Sequence, residues 1–484
     1  MKLYKHLLSF LIAIICMVTV KAQQFLTVKN TKGPTLGYAP ESGVQILNIN
    51  GLFFKDLNKN GKLDKYEDWR LPVDERAKDL ASKMSVAQIA GLMLYSGHQS
   101  IPAAPRGFGS ATYDGKTFPE SKANAFDLSD QQKIFLRDDN VRHVLVTSVQ
   151  STEVAAKWSN NVQAFVEGLG LGIPANNSSD PRNGVLATAE YNLGSGGAIS
   201  MWPESIGLAA TFDPTIVEKF GHIAAQEYRA LGITTALSPQ IDLGTEPRWG
   251  RINGTFGEDA WLDADMARAY VDGFQTSFNK DEIKNGWGYK SVNTMVKHWP
   301  SGGPEEGGRD GHFAYGKFAV YPGKNFNMHL IPFIKGAFQL KGKTAMASAV
   351  MPYYTISYNQ DTVYHENVGN GYSKYIITNL LRNKYKYDGV VCTDWLVIGD
   401  EGKTPDMFMG KSWGMENKTN AERHYKVIKA GGDQFGGNND MKPVLEAYQM
   451  GVKEFGEAAI RARFEKSAIR LLRRSEEHTS ELQS

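Results

Sequence analysis

The sequence predicts an α/β chain closed as a (β/α)8 TIM-type barrel, and two observations carry that expectation. Beyond residue 140, short β-rich runs alternate with amphipathic stretches of helical period, the pattern of repeated βα units around a parallel sheet. The polar residues that stand out cluster where those runs end. Asp242 closes one, with Arg251 just beyond it; Lys297 and His298 close a second; Asp394 and Trp395 close a third. In such a barrel the C-terminal strand ends build one site, so these side chains are expected to converge on one pocket. No Gly-rich dinucleotide turn follows a strand, which weighs against a doubly wound open sheet.

The elements are read in chain order. Lys2 and Lys5 precede an apolar run over 7–20, and Val20-Lys21-Ala22 stands before Gln23, so residues 1–22 read as a cleavable export signal and the product as periplasmic or secreted. No small residue precedes Cys16 and the apolar run continues past it, which argues against a lipid anchor. Residues 23–71 form an N-terminal extension. Ser85 with Gln88 makes a capping box ahead of the apolar stretch 89–94. Strands are expected over 143–149, 233–241, 292–298, 344–350, 389–393 and 427–430. Helices are expected over 215–231, 260–275, 326–338, 374–384 and 442–457. These make six βα units, with room for two more upstream, inside a barrel domain spanning 72–473.

Composition narrows the function class. The 484 residues are 42% hydrophobic and 22% charged, enough to bury a large core, which excludes disorder and collagen. Lys and Arg number 54 against 52 Asp and Glu, a net charge of +2 with no run of five like charges, so neither a nucleic-acid footprint nor a polybasic membrane patch is present. Neutral ligands fit better, and the oligomeric state stays open. Once the signal is removed, Cys392 is the one cysteine left, so no intramolecular disulfide is expected and the core must supply the stability. No other apolar run is long enough to span a bilayer.

A metal motif lies in the N-terminal extension. Asp56, Asn58, Asn60, Gly61, Lys62, Asp64 and Glu67 fit the twelve-residue EF-hand spacing: oxygen ligands at alternate positions, Gly at the sharp turn, the Lys62 backbone carbonyl, and a final Glu that binds with both oxygens. Only residues 51–55 precede it, too few for the usual first helix, so a single dockerin-like calcium loop is expected, stabilising the approach to the barrel. A metal-free Asn/Gly turn is the alternative.

The chemistry is expected around Asp394. It follows Gly389-Val390-Val391-Cys392-Thr393, a near-continuous apolar run suited to a strand buried on both faces, and the Trp395 indole comes next. Attack on an acetal carbon needs a fixed, ionised carboxylate beside a surface that favours the apolar face of a sugar. Lys297 and His298 supply donors for hydroxyls.

Several motifs together resemble the barrel domain of glycoside hydrolase family 3, from about Pro72 to Arg473. They are the segment Pro203-Glu204-Ser205-Ile206-Gly207-Leu208-Ala209-Ala210-Thr211-Phe212-Asp213, Ser238-Pro239-Gln240-Ile241-Asp242 followed by Pro247-Arg248-Trp249-Gly250-Arg251 and Thr255-Phe256-Gly257-Glu258-Asp259, then Lys297-His298-Trp299-Pro300, and Val390-Val391-Cys392-Thr393-Asp394-Trp395. The resemblance implies an exo-acting retaining β-glucosidase. Asp394 is then the nucleophile, Asp180, Arg251, Lys297 and His298 hold the hydroxyls of the terminal sugar, Trp395 stacks on it, and Tyr354 matches a tyrosine near the nucleophile. No cofactor takes part; the partner is an oligosaccharide or glucoside.

The general acid/base is where the sequence departs from the pattern. Two-domain members take it from a following α/β sandwich domain, before which this chain is expected to be truncated, since residues 475–484 leave the helical period and resemble a translated sequencing adapter. Single-domain β-N-acetylglucosaminidases of the family use an Asp-x-His dyad, and Asp310-Gly311-His312 stands in the corresponding loop, about two residues late and without the usual His after Pro-Gly. Glu305 and Glu306 in that loop are further candidates for a sugar hydroxyl. The expected alternatives are therefore a β-N-acetylglucosaminidase using Asp310 and His312, or a non-catalytic carbohydrate-binding barrel.

Overall fold

The computed structural model describes residues 25–107, 109–184 and 199–476; the segment 1–22, expected to be an export signal, and residues 477–484 lie outside them. Two antiparallel hairpins open the chain, β1 (Leu26–Lys29) with β2 (Thr35–Tyr38) and β3 (Gln45–Ile49) with β4 (Leu52–Asp56). Helices α1 (Val73–Lys83) and α2 (Val86–Leu92) follow, the second starting on the Ser85–Gln88 capping box as expected.

The barrel is then laid down strand by strand. Its first strand runs from Leu94 into β5 (Gln99–Ile101); after α3 (Asp130–Arg137) come β6 (His143–Val149), α4 (Thr152–Glu167) and β7 (Asn176–Ser179). A short α5 (Ser205–Ala209) and α6 (Pro214–Ala230) lead to β8 (Thr235–Ala236) and α7 (Ala260–Gln275). A small hairpin, β9 (Glu282–Lys284) with β10 (Trp287–Gly288), precedes β11 (Asn293–Trp299), all seven residues of which are buried. Beyond it lie β12 (Phe318–Ala319), α8 (Phe326–His329), β13 (Ala349–Pro352), β14 (Ile356–Ser357) and β15 (Val390–Val391), then α9 (Asn420–Ala430), α10 (Lys442–Phe455) and α11 (Glu457–Glu476).

Seven parallel strands run β15-β13-β11-β8-β7-β6-β5. The ring closes through two parallel bridges, Cys392 with Gln434 and Leu94 with Phe435, which make residues 434–435 the eighth staves of the barrel. Helices α6 and α7 touch where Gly221 meets Gly273; a Cβ on Gly221 would lie 2.8 Å from the Gly273 Cα, so only glycine admits that approach.

Several expected elements differ. Residues 427–430 are not a strand: they finish α9, which stops at Gly431 in the left-handed conformation (φ 106°), and the strand follows at 434–435. The apolar side chains Val427 and Ile428 lie on the helix face packed in the core, so an apolar run of four was ambiguous between the two periods. The run 233–241 is laddered only at β8, because Pro239 has no N–H to give; pairing resumes where Ile241 N–H reaches the Lys297 carbonyl. The strand expected over 344–350 begins at Ala349. Expected helices over 326–338 and 374–384 form, but as a short α8 with π-helical turns at Pro332–Ala337, and as a π-helix at Tyr375–Lys384. Strand β7 was not anticipated, since its sequence Asn-Asn-Ser-Ser is polar; all four residues are buried and bonded, with Asn177 Nδ2 donating to Ser159 Oγ and Ser178 Oγ to the Val144 carbonyl. Helix α11 runs on to Glu476, and Ser475 Oγ accepts from Asn176 Nδ2, so the start of the 475–484 segment keeps the helical period.

Candidate active site

The C-terminal ends of β6, β7, β11, β13 and β15 open on a cavity of about 330 Å3. Its wall includes Asp180, Arg251, Lys297, His298, Tyr354, Asp394 and Trp395, and from one loop Asp310 and His312. All nine were expected at the site, and the structure brings all nine to one pocket.

Parallel pairing of β11 with β13 and of β13 with β15 sets Lys297, Met351 and the residues after Val391 at one level. Lys297 Nζ donates to Asp180 Oδ1 at 3.0 Å, with both side chains nearly buried. Asp242 does not reach the cavity: fully buried beneath it, its Oδ1 accepts the His298 backbone N–H (3.0 Å) and its Oδ2 faces His298 Nδ1 at 2.6 Å. Burial would raise the Asp242 carboxyl, but the His298 ring and backbone donors outweigh it and hold it below its ordinary value. Burial likewise pushes the His298 imidazole down despite the Asp242 charge. Asp242 thereby orients the ring, and His298 Nε2 faces Asp394 Oδ2 at 3.7 Å.

Asp394 is 6% exposed. Its Oδ1 accepts the Trp395 N–H at 2.7 Å, while Oδ2 is buried with no hydrogen-bond partner; the residue stands on the pocket wall. A buried carboxylate oxygen left in this way is an acceptor, or a nucleophile, waiting for a ligand atom. Tyr354 stands beside it; burial first and then the Asp394 charge push its phenol well above the ordinary value, so it remains a donor. The Trp395 indole N–H is tied to the Ser96 carbonyl (3.2 Å) and its ring packs on Tyr95, which fixes the plane it presents.

Asp310 and His312 form a tight pair, His312 Nδ1 to Asp310 Oδ1 at 2.5 Å, with Trp249 Nε1 donating to the other Asp310 oxygen. Burial would raise the Asp310 carboxyl; the His312 contacts and the Arg251 charge override it and hold it well below the carboxylate range. The His312 ring lies 4.6 Å from that of Tyr354. The two glutamates of this loop do not line the cavity. Glu305 is buried behind it, accepting the Gly311 N–H at 2.7 Å, and Glu306 is exposed. Each position is set by the turn: the chain folds back so that Glu305 pairs with Ala319, which sends its side chain inward.

Sequence reasoning missed His98, Phe313, Met407, Phe408 and Lys411, which also line the pocket. His98 belongs to the first strand, whose polar composition carries no alternating signal; the others sit on loops with no motif. Lys411 is buried, which lowers its ammonium to about 8 even with Asp394 nearby.

The EF-hand-like loop lies elsewhere. Lys55 pairs with Glu167 at 2.8 Å and Lys59 Nζ donates to the Gly168 carbonyl, at the end of α4 that precedes β7, so the loop sits under the opposite end of the barrel. Asp56 accepts the Asn60 and Gly61 N–H groups, Glu67 those of Leu57, Asn58 and Asp64, and both Asn58 and Asn60 amides donate to Asp64 Oδ2. Lys62 contributes its N–H to Asn60 Oδ1. Among the described residues, no three His, Cys, Asp or Glu side chains are grouped to hold a metal. An ion here would need the two amides to turn their oxygens inward.

A model of the glycosyl hydrolase family 3 N terminal domain matches residues 118–466. The chain is 41% identical over 424 residues to a periplasmic beta-glucosidase/beta-xylosidase of Dickeya chrysanthemi, covering 84% of this chain and 60% of that one. It is 36% identical over 398 residues to a probable beta-glucosidase C of Aspergillus oryzae, covering 81% and 57%. The chain therefore spans about three fifths of the length of these relatives. Solved structures share the fold: a b-glucosidase from Erythrobacter marinus (TM-score 0.61, 22% identity, 86% of this chain and 46% of that one) and a family 3 beta-N-acetylglucosaminidase from Paenibacillus (TM-score 0.59, 22% identity, 82% and 64%). No helix among the described residues is long and apolar enough to cross a membrane.

Proposed function

Because the chain belongs to glycosyl hydrolase family 3, we propose that it is an exported, periplasmic or secreted, retaining exo-glycosidase that removes terminal β-D-glucosyl residues from oligosaccharides or glucosides. The observation that carries this is Asp394: a buried carboxylate on the pocket wall with one oxygen held by the Trp395 N–H and the other without a hydrogen-bond partner. Asp180, Lys297, Arg251 and His298 line the same pocket with polar groups suited to sugar hydroxyls.

The reaction is a double displacement. The Asp394 carboxylate forms a bond to the anomeric carbon as the aglycone oxygen leaves with a proton from a general acid. Water then gives a proton to the same group, now a base, and attacks the anomeric carbon, releasing the sugar with its configuration retained and Asp394 ionised again. In the first reading the acid/base is a carboxyl group of a further domain. The Asp310–His312 pair on the pocket wall favours a second reading, a β-N-acetylglucosaminidase in which that dyad is the acid/base.

Peptide mass spectrometry after incubation with activated fluorosugars tests both, since a very good leaving group makes the acid nearly dispensable. A 2-fluoro β-glucoside is expected to label the peptide containing Asp394, and Asp394→Asn to abolish the label. Labelling only by a 5-fluoro N-acetyl-β-glucosaminide would select the second reading. No label from either, on protein folded by circular dichroism, would favour a binding barrel.

A further inference from the structure

Lys297 lines a second cavity besides the pocket of Asp394, a space of about 70 Å3 between the turn after β7 and helices α5 and α6. Arg182, on that turn, lines it too and is only 5% exposed. Its guanidinium is half engaged. Nη2 donates to the Val146 and Thr147 carbonyls of β6 (2.7 and 3.1 Å), whereas Nε and Nη1 have no hydrogen-bond partner among the described residues. Arginine is not deprotonated in proteins, so this is a buried full charge with donors to spare.

One carboxylate serves two cations here. Burial lowers the Arg182 guanidinium, and the groups that oppose burial are Tyr228 and Asp180. Tyr228 is a phenol, whose OH donates to the Asp180 carbonyl (3.1 Å) and accepts the Arg182 backbone N–H (3.0 Å). Asp180 Oδ1 is held by Lys297 Nζ at 3.0 Å. Glu204 also lines the cavity, but its carboxyl lies against Gly184, where an added Cβ would be 2.6 Å from Oε1. A buried cation left in this way is costly until a counter-charge joins it. Room decides where one fits: the 70 Å3 space takes a monatomic anion and a water, at roughly 30 Å3 for each water-sized particle, while a second space beside Arg182, about 10 Å3 among Val146, Trp158 and Ile233, does not.

We propose that the larger cavity is an anion site, in which a chloride-sized monovalent anion accepts from an unpartnered N–H of Arg182 with Lys297 as the second cation on the wall. The inference goes beyond the glycosidase reading and does not depend on it. Bound there, the anion fixes Arg182 and, through the Tyr228 hydroxyl shared by the Arg182 N–H and the Asp180 carbonyl, the turn that carries Asp180.

Two measurements on the full chain test it. Crystals grown in gluconate and soaked in millimolar bromide are expected to show an anomalous peak within hydrogen-bond reach of the Arg182 guanidinium. Replacing gluconate by chloride at constant ionic strength is expected to raise the melting temperature by roughly 2 °C or more, and Arg182→Met, which removes both the charge and the donors, to abolish that gain. Should Arg182→Met fail to fold, the bromide soak on the parent protein reads the site by itself. Water density beside Arg182 without anomalous signal, or bromide there only at molar concentration, overturns the inference. So do melting curves that coincide in chloride and gluconate, or a chloride gain that persists in Arg182→Met.

Discussion

Glu305 lies behind the Asp310–His312 pair, one carboxyl oxygen on the Gly311 N–H and the other without a hydrogen-bond partner. Burial, helped by the Asp310 charge, pushes its carboxyl up from 4.5 to about 10. Below 4.5 both folded and unfolded chains hold the proton, and the group is neutral to stability. Between the two values only the folded chain holds it, so stability drains away as pH rises through that window. Glu305→Gln, uncharged throughout, is expected to melt above the parent at neutral pH, by a margin that widens from about pH 5 to about pH 9. Melting curves across that range read it; a margin that stays constant would mean that Glu305 is ionised when folded. The same carboxyl shows how a side chain outside the cavity shapes it, because Gly311, which it holds, is the residue between Asp310 and His312.

The β4 strand and the loop after it form a different kind of element, stitched by its own Asp and Asn side chains under the base of the barrel. We propose that it takes a calcium ion, with Asp56, Asn58, Asn60, Asp64, Glu67 and the Lys62 carbonyl as ligands. Asp56, Asp64 and Glu67 flank the turn without forming a metal-holding group, so an ion would have to draw their oxygens together, away from the loop's N–H groups, as the Asn58 and Asn60 amides rotate away from Asp64. Because the loop is tied to the end of α4 through Lys55 and Lys59, ion binding would steady the approach to β7 without touching Asp394. Adding calcium to metal-free protein is expected to raise the melting temperature, with a chelator reversing the gain; Asp56→Ala should abolish the response. An unchanged melt sinks the calcium assignment and leaves the metal-free turn.

Closure of the barrel depends on a charged cluster at its base. Asp433, fully buried just before the last staves, binds Arg382 Nη2 at 2.6 Å, Arg470 Nη1 at 3.2 Å, Ser467 Oγ at 2.8 Å and the Val391 N–H at 3.1 Å. One carboxylate thereby joins β15, the π-helix before it, α11 and the closing strand. Burial alone would raise it; the three surrounding guanidinium groups of Arg382, Arg470 and Arg463 hold it low and ionised. Asp433→Asn removes that charge and leaves buried guanidinium groups uncompensated, a change expected to cost about 3–5 kcal/mol in denaturant unfolding. A cost under about 1 kcal/mol would show that the arginines find other partners or solvent.

How much of this was legible follows from the range of the forces involved. The alternation of β-rich and helical runs, the apolar strand before Asp394 and the Lys297-His298 strand end are local patterns, set by side-chain period and burial, and they led to the barrel and to Arg251, Lys297, His298, Asp394 and Trp395; Asp180, Tyr354, Asp310 and His312 were expected only from the resemblance to the family. Helix starts were legible for the same reason, as the Ser85–Gln88 box shows. Local pattern failed where a partner distant in sequence decides the outcome. Val427 and Ile428 belong to a helix because α10 packs against α9; Asn176–Ser179 is a strand because its polar groups find Ser159, Val144 and Thr234 inside the fold. Asp242, read as one more strand-end acid, became the buried holder of His298, and Glu305 turned away from the pocket. Those outcomes, with the Phe313, Met407 and Phe408 wall, rest on loops meeting across the top of a closed ring. Ring closure joins residues 94 and 435, and no local preference along the chain encodes which side chains that closure brings face to face.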